Sequence, residues 1–211
     1  SNAYRTLDNT AVAWMTVQNF KHQLPMASGE KAYQLKGHAK FVEVARMFGW
    51  KVLGDYWKSF NEDYENKVTI QTDVDSLLFR MAKQVGVDVT PLFHFWGIHP
   101  NNIGTLQRRI QQAKIPSSPA VLAVLRKYMS LVPSNNAAFQ SFARSWWGHV
   151  PRSTGYWTER DHALVWNTYD ENYAELVRAN IGKILRLYFP NQGGSLTKVG
   201  KGCIASGKLP Q

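Results

Sequence analysis

Apolar residues return at intervals of three and four along most of this chain, a period that predicts helices rather than strands. The first apolar segment runs from Ala11 to Phe20, and Pro25 with Ser28-Gly29 separates it from the next. Over 31–48, Leu35, Val42, Ala45 and Phe48 keep helical spacing, with Phe41 and Val44 widening the stripe. Gly49 interrupts, and Trp50, Leu53, Trp57, Phe60 and Tyr64 then repeat at 3-4-3-4 intervals. Lys51, Asp55, Lys58, Glu62 and Glu65 fall on other faces. The pattern therefore predicts an amphipathic helix that turns Trp50, Leu53, Trp57 and Phe60 inward.

Further on, Val74, Leu77, Leu78, Met81 and Val85 form a third strong stripe. Thr72 and Asp75 have capping spacing at its start, and Gly86 suits its exit. A short helix is expected next, with Thr90 as cap, Pro91 at the first helical position, apolar Leu92, Phe93, Phe95 and Trp96, and a stop at Gly97. Ser118 and Pro119 repeat that start and lead into Val121, Leu122, Leu125, Tyr128 and Met129. From Ser134 to Trp147, Phe139, Phe142 and Trp146 share one side. After a Gly/Pro/Ser connector at 148–155, Thr158 and Asp161 supply another capping pair. The pattern they open passes through Trp166, Tyr169, Tyr173, Leu176, Ile184, Leu187 and Phe189, as one helix or as two joined near Asn180 or Gly182. Residues 191–211 carry five glycines and little periodicity, which suits a short hairpin or an irregular tail.

The fold class expected is all-α: a bundle of about seven to nine helices with an irregular Gly-rich C-terminal tail, any strand confined to the last twenty or so residues. Gly97, Pro100, Asn101, Asn102 and Gly104 mark the one seam, giving two packed helical subdomains, 4–98 and 99–211. Ser1-Asn2-Ala3 reads as the scar of a removed tag.

Composition agrees with a globular chain: 44% of the 211 residues are hydrophobic and 19% charged. Cys203 is the single cysteine, which excludes an intramolecular disulfide and a cysteine-built zinc site. No apolar run is long enough to span a membrane. The net charge of +10 is unevenly placed. From Asn101 to Thr158 there are seven basic residues and no acidic one: Arg108, Arg109, Lys114, Arg126, Lys127, Arg144 and Arg152. Such a stretch suits a polyanion or a plain solvated surface.

Catalytic signals are sparse. His22, His38, His94, His99, His149 and His162 show neither H-E-x-x-H nor paired helical spacing, and His94 and His99 stand five apart across Gly97. The acid pairs Glu62-Asp63-Glu65 and Asp73/Asp75 fall where capping and wet helix faces explain them. Neither a nucleophile elbow nor a phosphate-binding glycine loop occurs. The candidate ligand-binding residues are Arg144, Trp146, Trp147, Arg152, Tyr156 and Trp157, where aromatic rings flank a connector beside guanidinium groups. That combination favours a sialylated or sulfated glycan over nucleic acid, for which no binding motif is present. The competing account is that these rings seal the joint between two helices.

One stretch resembles a known family. Lys31-Ala32-Tyr33 precedes a helix ending in Phe48-Gly49-Trp50; Tyr56 to Tyr64 and Asp73-x3-Leu77 follow, then Asp88-Val89-Thr90-Pro91-Leu92-Phe93-His94-Phe95-Trp96-Gly97-Ile98. This order is similar to the helical region after the catalytic motifs of M60-like (enhancin-type, mucin-directed) zinc metallopeptidases. In that family an F-G-W helix end is followed by an F-x-x-W-G-I end. The resemblance covers about a third of the chain and implies the C-terminal helical portion of a secreted or bacterial cell-surface zinc metallopeptidase acting on mucin-type glycoproteins. The zinc ligands of that family, H-E-x-x-H and a later Glu, have no counterpart in residues 1–211, so no catalytic or metal-binding residue carries over. The resemblance thus implies no cofactor in this segment, zinc in the parent protein, and an upstream catalytic domain as partner. The alternative reading is a non-catalytic helical module that binds a glycan or a protein.

Overall fold

A computed structural model describes residues 2–26, 30–147 and 164–191, with the side chains of 7–26, 38–145 and 164–191. Ten helices lie among the described residues: α1 (Asn2–Met15), α2 (Gln18–Lys21), α3 (Glu30–Phe48), α4 (Lys51–Glu65), α5 (Val74–Val85), α6 (Thr90–Phe95), α7 (Ile103–Gln112), α8 (Pro119–Ser130), α9 (Asn136–Trp147) and α10 (Glu171–Tyr188). One isolated parallel bridge, Asp88 to Ser117, is the only β pairing among the described residues. The all-α class expected from the periodicity is the class observed.

The bundle is organised around a short central helix. Helix α6 packs against α5, α8 and α10, while α1 reaches α3, α8 and α2. Thr90, Pro91, Leu92, Phe93, Phe95 and Trp96 are all buried. So short a helix cannot persist by itself. Thr90 is its first residue and not its cap; its start is fixed by Asp88, whose carboxylate accepts from the Thr90 N–H (2.9 Å) and hydroxyl (2.6 Å). At its end, Gly97 N–H donates to the His94 carbonyl and Ile98 N–H to that of Phe93, closing a Schellman turn. Gly97 takes φ +79°, and a Cβ there would come within 2.7 Å of both the Met26 nitrogen and the Trp14 ring. Around this end Trp14 donates its indole N–H to the Phe95 carbonyl, and Met26 N–H donates to the Gly97 carbonyl (2.9 Å). Phe95 stacks on Tyr128, with ring centroids 4.9 Å apart. The core is one contiguous cluster drawing on residues before and after the 97–104 loop.

Several helix boundaries differ from the sequence expectation. The first apolar segment is two helices: Thr16 folds its hydroxyl onto the Val12 and Ala13 carbonyls (3.0 and 3.2 Å), and Val17 is extended before α2. Asp73, not Thr72, caps α5 by accepting from the Ser76 N–H. Asp75 instead accepts from the Asn101 and Asn102 N–H groups (2.7 and 2.8 Å), tying the loop before α7 to α5. Helix α7 was not anticipated; Asn102 caps it and Leu106 and Ile110 bury its inner side. Ser118 caps α8 and Pro119 opens it, as expected. Helix α10 begins after the Asp170 cap and runs unbroken through Asn180 and Gly182. Asn180 is tolerated there because its amide donates to the Phe20 and Lys21 carbonyls at the end of α2 (3.1 and 2.8 Å). The Thr158–Asp161 cap and the tail after Asn191 lie outside the described residues.

The largest correction concerns α4. Trp50 is 70% exposed, Trp57 57% and Tyr64 79%, whereas Tyr56 and Ser59 are buried. Leu53 and Phe60 are half-buried. Helix α4 packs chiefly on α3 and α5, and a polar anchor sets its rotation. Arg80 of α5 donates to the Ser59 carbonyl (3.1 Å) and hydroxyl (3.0 Å), pairs with Asp63, and lies over the Phe60 ring. That anchor turns the helix roughly a quarter turn from the inward face expected, at about 100° per residue.

Candidate functional site

Of the six residues expected to bind ligand, the structure places one side chain. Arg144 is exposed near the end of α9, within reach of the Gln140 amide oxygen (3.2 Å) and over the Trp166 ring (5.5 Å). Trp146 and Trp147 lie in the last turn of α9, with side chains outside the described residues; Arg152, Tyr156 and Trp157 lie wholly outside them. The other basic residues of 101–158 are spread over α7, α8 and the α7 exit. Arg109 lies over Phe79, and Lys127 pairs with Asp8 (2.6 Å).

The structure does assemble two histidines that helical spacing leaves apart. The left-handed turn at Gly97 folds the chain back, so that His99 returns over His94 with ring centroids 4.5 Å apart. His94 Nδ1 meets the Tyr188 hydroxyl at 3.1 Å. Two residues before Thr90, Asp88 accepts from the Thr90 hydroxyl (2.6 Å). Burial, then the neighbouring His99, lowers the His94 pKa from 6.5 to about 4; burial also lowers that of His99. Burial raises the Asp88 pKa above its ordinary value. Both rings line a cavity of about 30 Å³ bounded by Trp14, Phe20, Asn180 and Ile184. That space suits a water molecule and is too small for a substrate. Among the described residues, the two imidazoles and the Tyr188 hydroxyl thus form a small buried polar cluster inside the bundle.

A second buried polar group sits on α3. Glu43 is buried, accepts from the Tyr128 hydroxyl and pairs with Arg46. Burial pushes its pKa up, against the opposing pull of Tyr128 and Arg46. Lys40, one turn earlier, is buried too, and desolvation lowers its pKa to about 8. The sequence reading put Val42 and Phe48 on the inner stripe of this helix; Val42 is exposed and Phe48 half-buried, while Lys40 and Glu43 face in. Periodicity misses such positions because charge marks a residue as outward.

Two open surfaces stand out among the described residues. A cleft of about 520 Å³ lies between α1 and the α8–α9 junction, lined by Asp8, Asn9, Val12, Leu131, Pro133 and Phe142 among others. Its volume suits a small ligand; the carboxylate lining it, Asp8, is already paired with Lys127. The second is the exposed aromatic stripe of α4. Among the described residues no group of three His, Cys, Asp or Glu side chains is placed to hold a metal ion, and no helix is long and apolar enough to cross a membrane. No family model, curated protein or solved structure matches the chain.

Proposed function

We propose that this chain is the C-terminal helical portion of an enhancin-type zinc metallopeptidase acting on mucin-type glycoproteins, with the chemistry carried by an upstream domain. One observation supports this reading above the others. Both glycines of the resembling motifs, Gly49 and Gly97, end a helix with left-handed backbone, at φ +89° and +79°. The aromatic partners of Gly97, Phe93 and Trp96, lie in the centre of the core. Gly97, Phe93 and Trp96 therefore coincide with positions where geometry and volume leave little choice, and Gly49 with one where backbone geometry does, while Phe48 is half-buried and Trp50 exposed.

In this reading the helices support a metal-bearing domain, and the parent protein is secreted or displayed on a bacterial surface. The direct check is the parent reading frame. An H-E-x-x-H segment encoded upstream, followed by a further glutamate, is the expected finding; a complete frame without one removes the proteolytic reading.

The second reading is a binding module without chemistry, with Arg144, Trp146, Trp147, Arg152, Tyr156 and Trp157 contacting an anionic glycan. The placement of Arg144 on the solvent side of α9 supports it. Trp147→Ala and Trp157→Ala should each weaken binding to sialylated mucin and leave the melting curve nearly unchanged; variants that unfold instead would contradict it.

A further inference from the structure

We infer that the outer stripe of α4 is a docking ladder for an extended chain of neutral sugars. Trp50 has helical dihedrals, so its ring continues the helix surface and stands in line with Trp57 and Tyr64. Residues seven apart drift by only about 20° around a helix, so the three rings share one stripe. They follow one another at intervals of about 10 Å, over a run of about 21 Å. Such a run spans several sugar units of an extended chain.

The composition of the stripe argues for this occupant. The positions between the rings are Gly54 and Asn61, both exposed. A Cβ added at Gly54 would meet nothing within 4 Å, so the surface between Trp50 and Trp57 is an open step. A protein partner is held by contiguous apolar packing at the centre of its interface. Here flat rings alternate with a bare step and an amide. A sugar chain presents the complement: apolar ring faces to stack on aromatics and hydroxyl edges to meet an amide.

Charge on the flanks points the same way. Lys51 pairs with Asp55 at 2.6 Å and Lys58 with Glu62 at 3.3 Å, so each cation beside the ladder is neutralised within its own helix. With Glu65 also exposed beside the last rung, the face carries no net positive charge and offers no net attraction to a sulfated or sialylated chain, to nucleic acid or to anionic lipid. The middle rung is also held in place: Trp57 rests against Phe41 and Phe60, with centroids 6.3 and 5.8 Å away. A ring fixed before binding loses little rotamer freedom when a ligand stacks on it.

This inference stands apart from the metallopeptidase reading, since its readout is binding by the chain itself and not hydrolysis. Chitohexaose and cellohexaose are titrated into the 211-residue chain, followed by tryptophan fluorescence and calorimetry. Saturable binding is expected to at least one hexasaccharide, weaker for the matching disaccharide, and unchanged between roughly 0.1 and 0.5 M salt. Trp50→Ala and Trp57→Ala should each lower affinity about ten-fold or more with the fold retained by circular dichroism. Trp57→Phe should keep most of it. Absence of saturable binding by folded protein would overturn the inference, as would binding that survives in the double alanine variant or weakens with salt. Protection of Trp50 and Trp57 by self-association, or by phosphatidylcholine vesicles in place of sugars, would overturn it too.

Discussion

Gly97 carries two constraints at once, and they can be separated by substitution. Its φ of +79° disfavours any side chain, and its missing Cβ leaves room for the Met26 backbone and the Trp14 ring. Gly97→Ala should therefore cost about 3 kcal/mol, combining left-handed strain with overpacking, read as a fall in urea midpoint at constant slope. His94 provides a pH test. Its folded pKa of about 4 lies below the unfolded 6.5, so the unfolded chain takes up the proton first as pH falls. The contribution of the neutral ring is present above pH 6.5 and is lost as pH drops toward 4. Relative to His94→Asn, the wild-type chain should lose about 2 kcal/mol between pH 7 and 4, after allowance for solvent screening of a half-buried ring. The sequence made Gly97 legible as a helix stop; the meeting of His94 and His99 was hidden, because it depends on the direction in which that turn folds back.

Among the helices, an end marked by a local signal was read more closely than an end without one. Helix α8 has Ser118 and Pro119 at its start, and α6 has Gly97 at its end. By contrast α2, α4 and α7 end in Schellman turns whose left-handed residue is Gln23, Lys67 or Lys114, each at φ 54–55°. At these ends the N–H of Leu24, Val68 and Ile115 donates to the carbonyl of Asn19, Asp63 and Ile110. No glycine advertises these ends, which is one reason α7 escaped notice. Lys67→Gly and Lys114→Gly should each stabilise by about 0.5–1 kcal/mol, because relief of the left-handed strain exceeds the added freedom of the unfolded chain. A lower melting temperature would show that those lysines make compensating contacts. For α4, periodicity identified the helix and its aromatic stripe but assigned that stripe to the core. The Arg80 anchor to Ser59 and Asp63, a long-range polar contact, decided the rotation. Trp57→Ala should accordingly cost less than about 1 kcal/mol, not the 3–5 kcal/mol of a buried tryptophan.

At the scale of the whole molecule, a six-residue helix is kept at the centre by partners from both ends of the chain. Trp14 reaches it from α1, Met26 from the segment after α2, Tyr128 from α8 and Tyr188 from α10. Local pattern gave the helical class because most segments carry their own periodicity. The central role of α6 follows from contacts 81 and 94 residues apart in sequence, which no local window contains. The same distance between motif and role separates the fold from the chemistry: the F-x-x-W-G-I segment shapes the centre of this bundle, and the zinc site proposed for the parent would belong to another part of the polypeptide. The most direct test of that proposal compares the parent polypeptide with residues 1–211 on purified mucin, with and without a zinc chelator. The account expects the parent to cleave mucin, the chelator to stop it, zinc to restore it, and residues 1–211 to leave mucin intact under every condition. Zinc-dependent cleavage by residues 1–211 alone, or a folded parent that leaves mucin whole with zinc supplied, would contradict it.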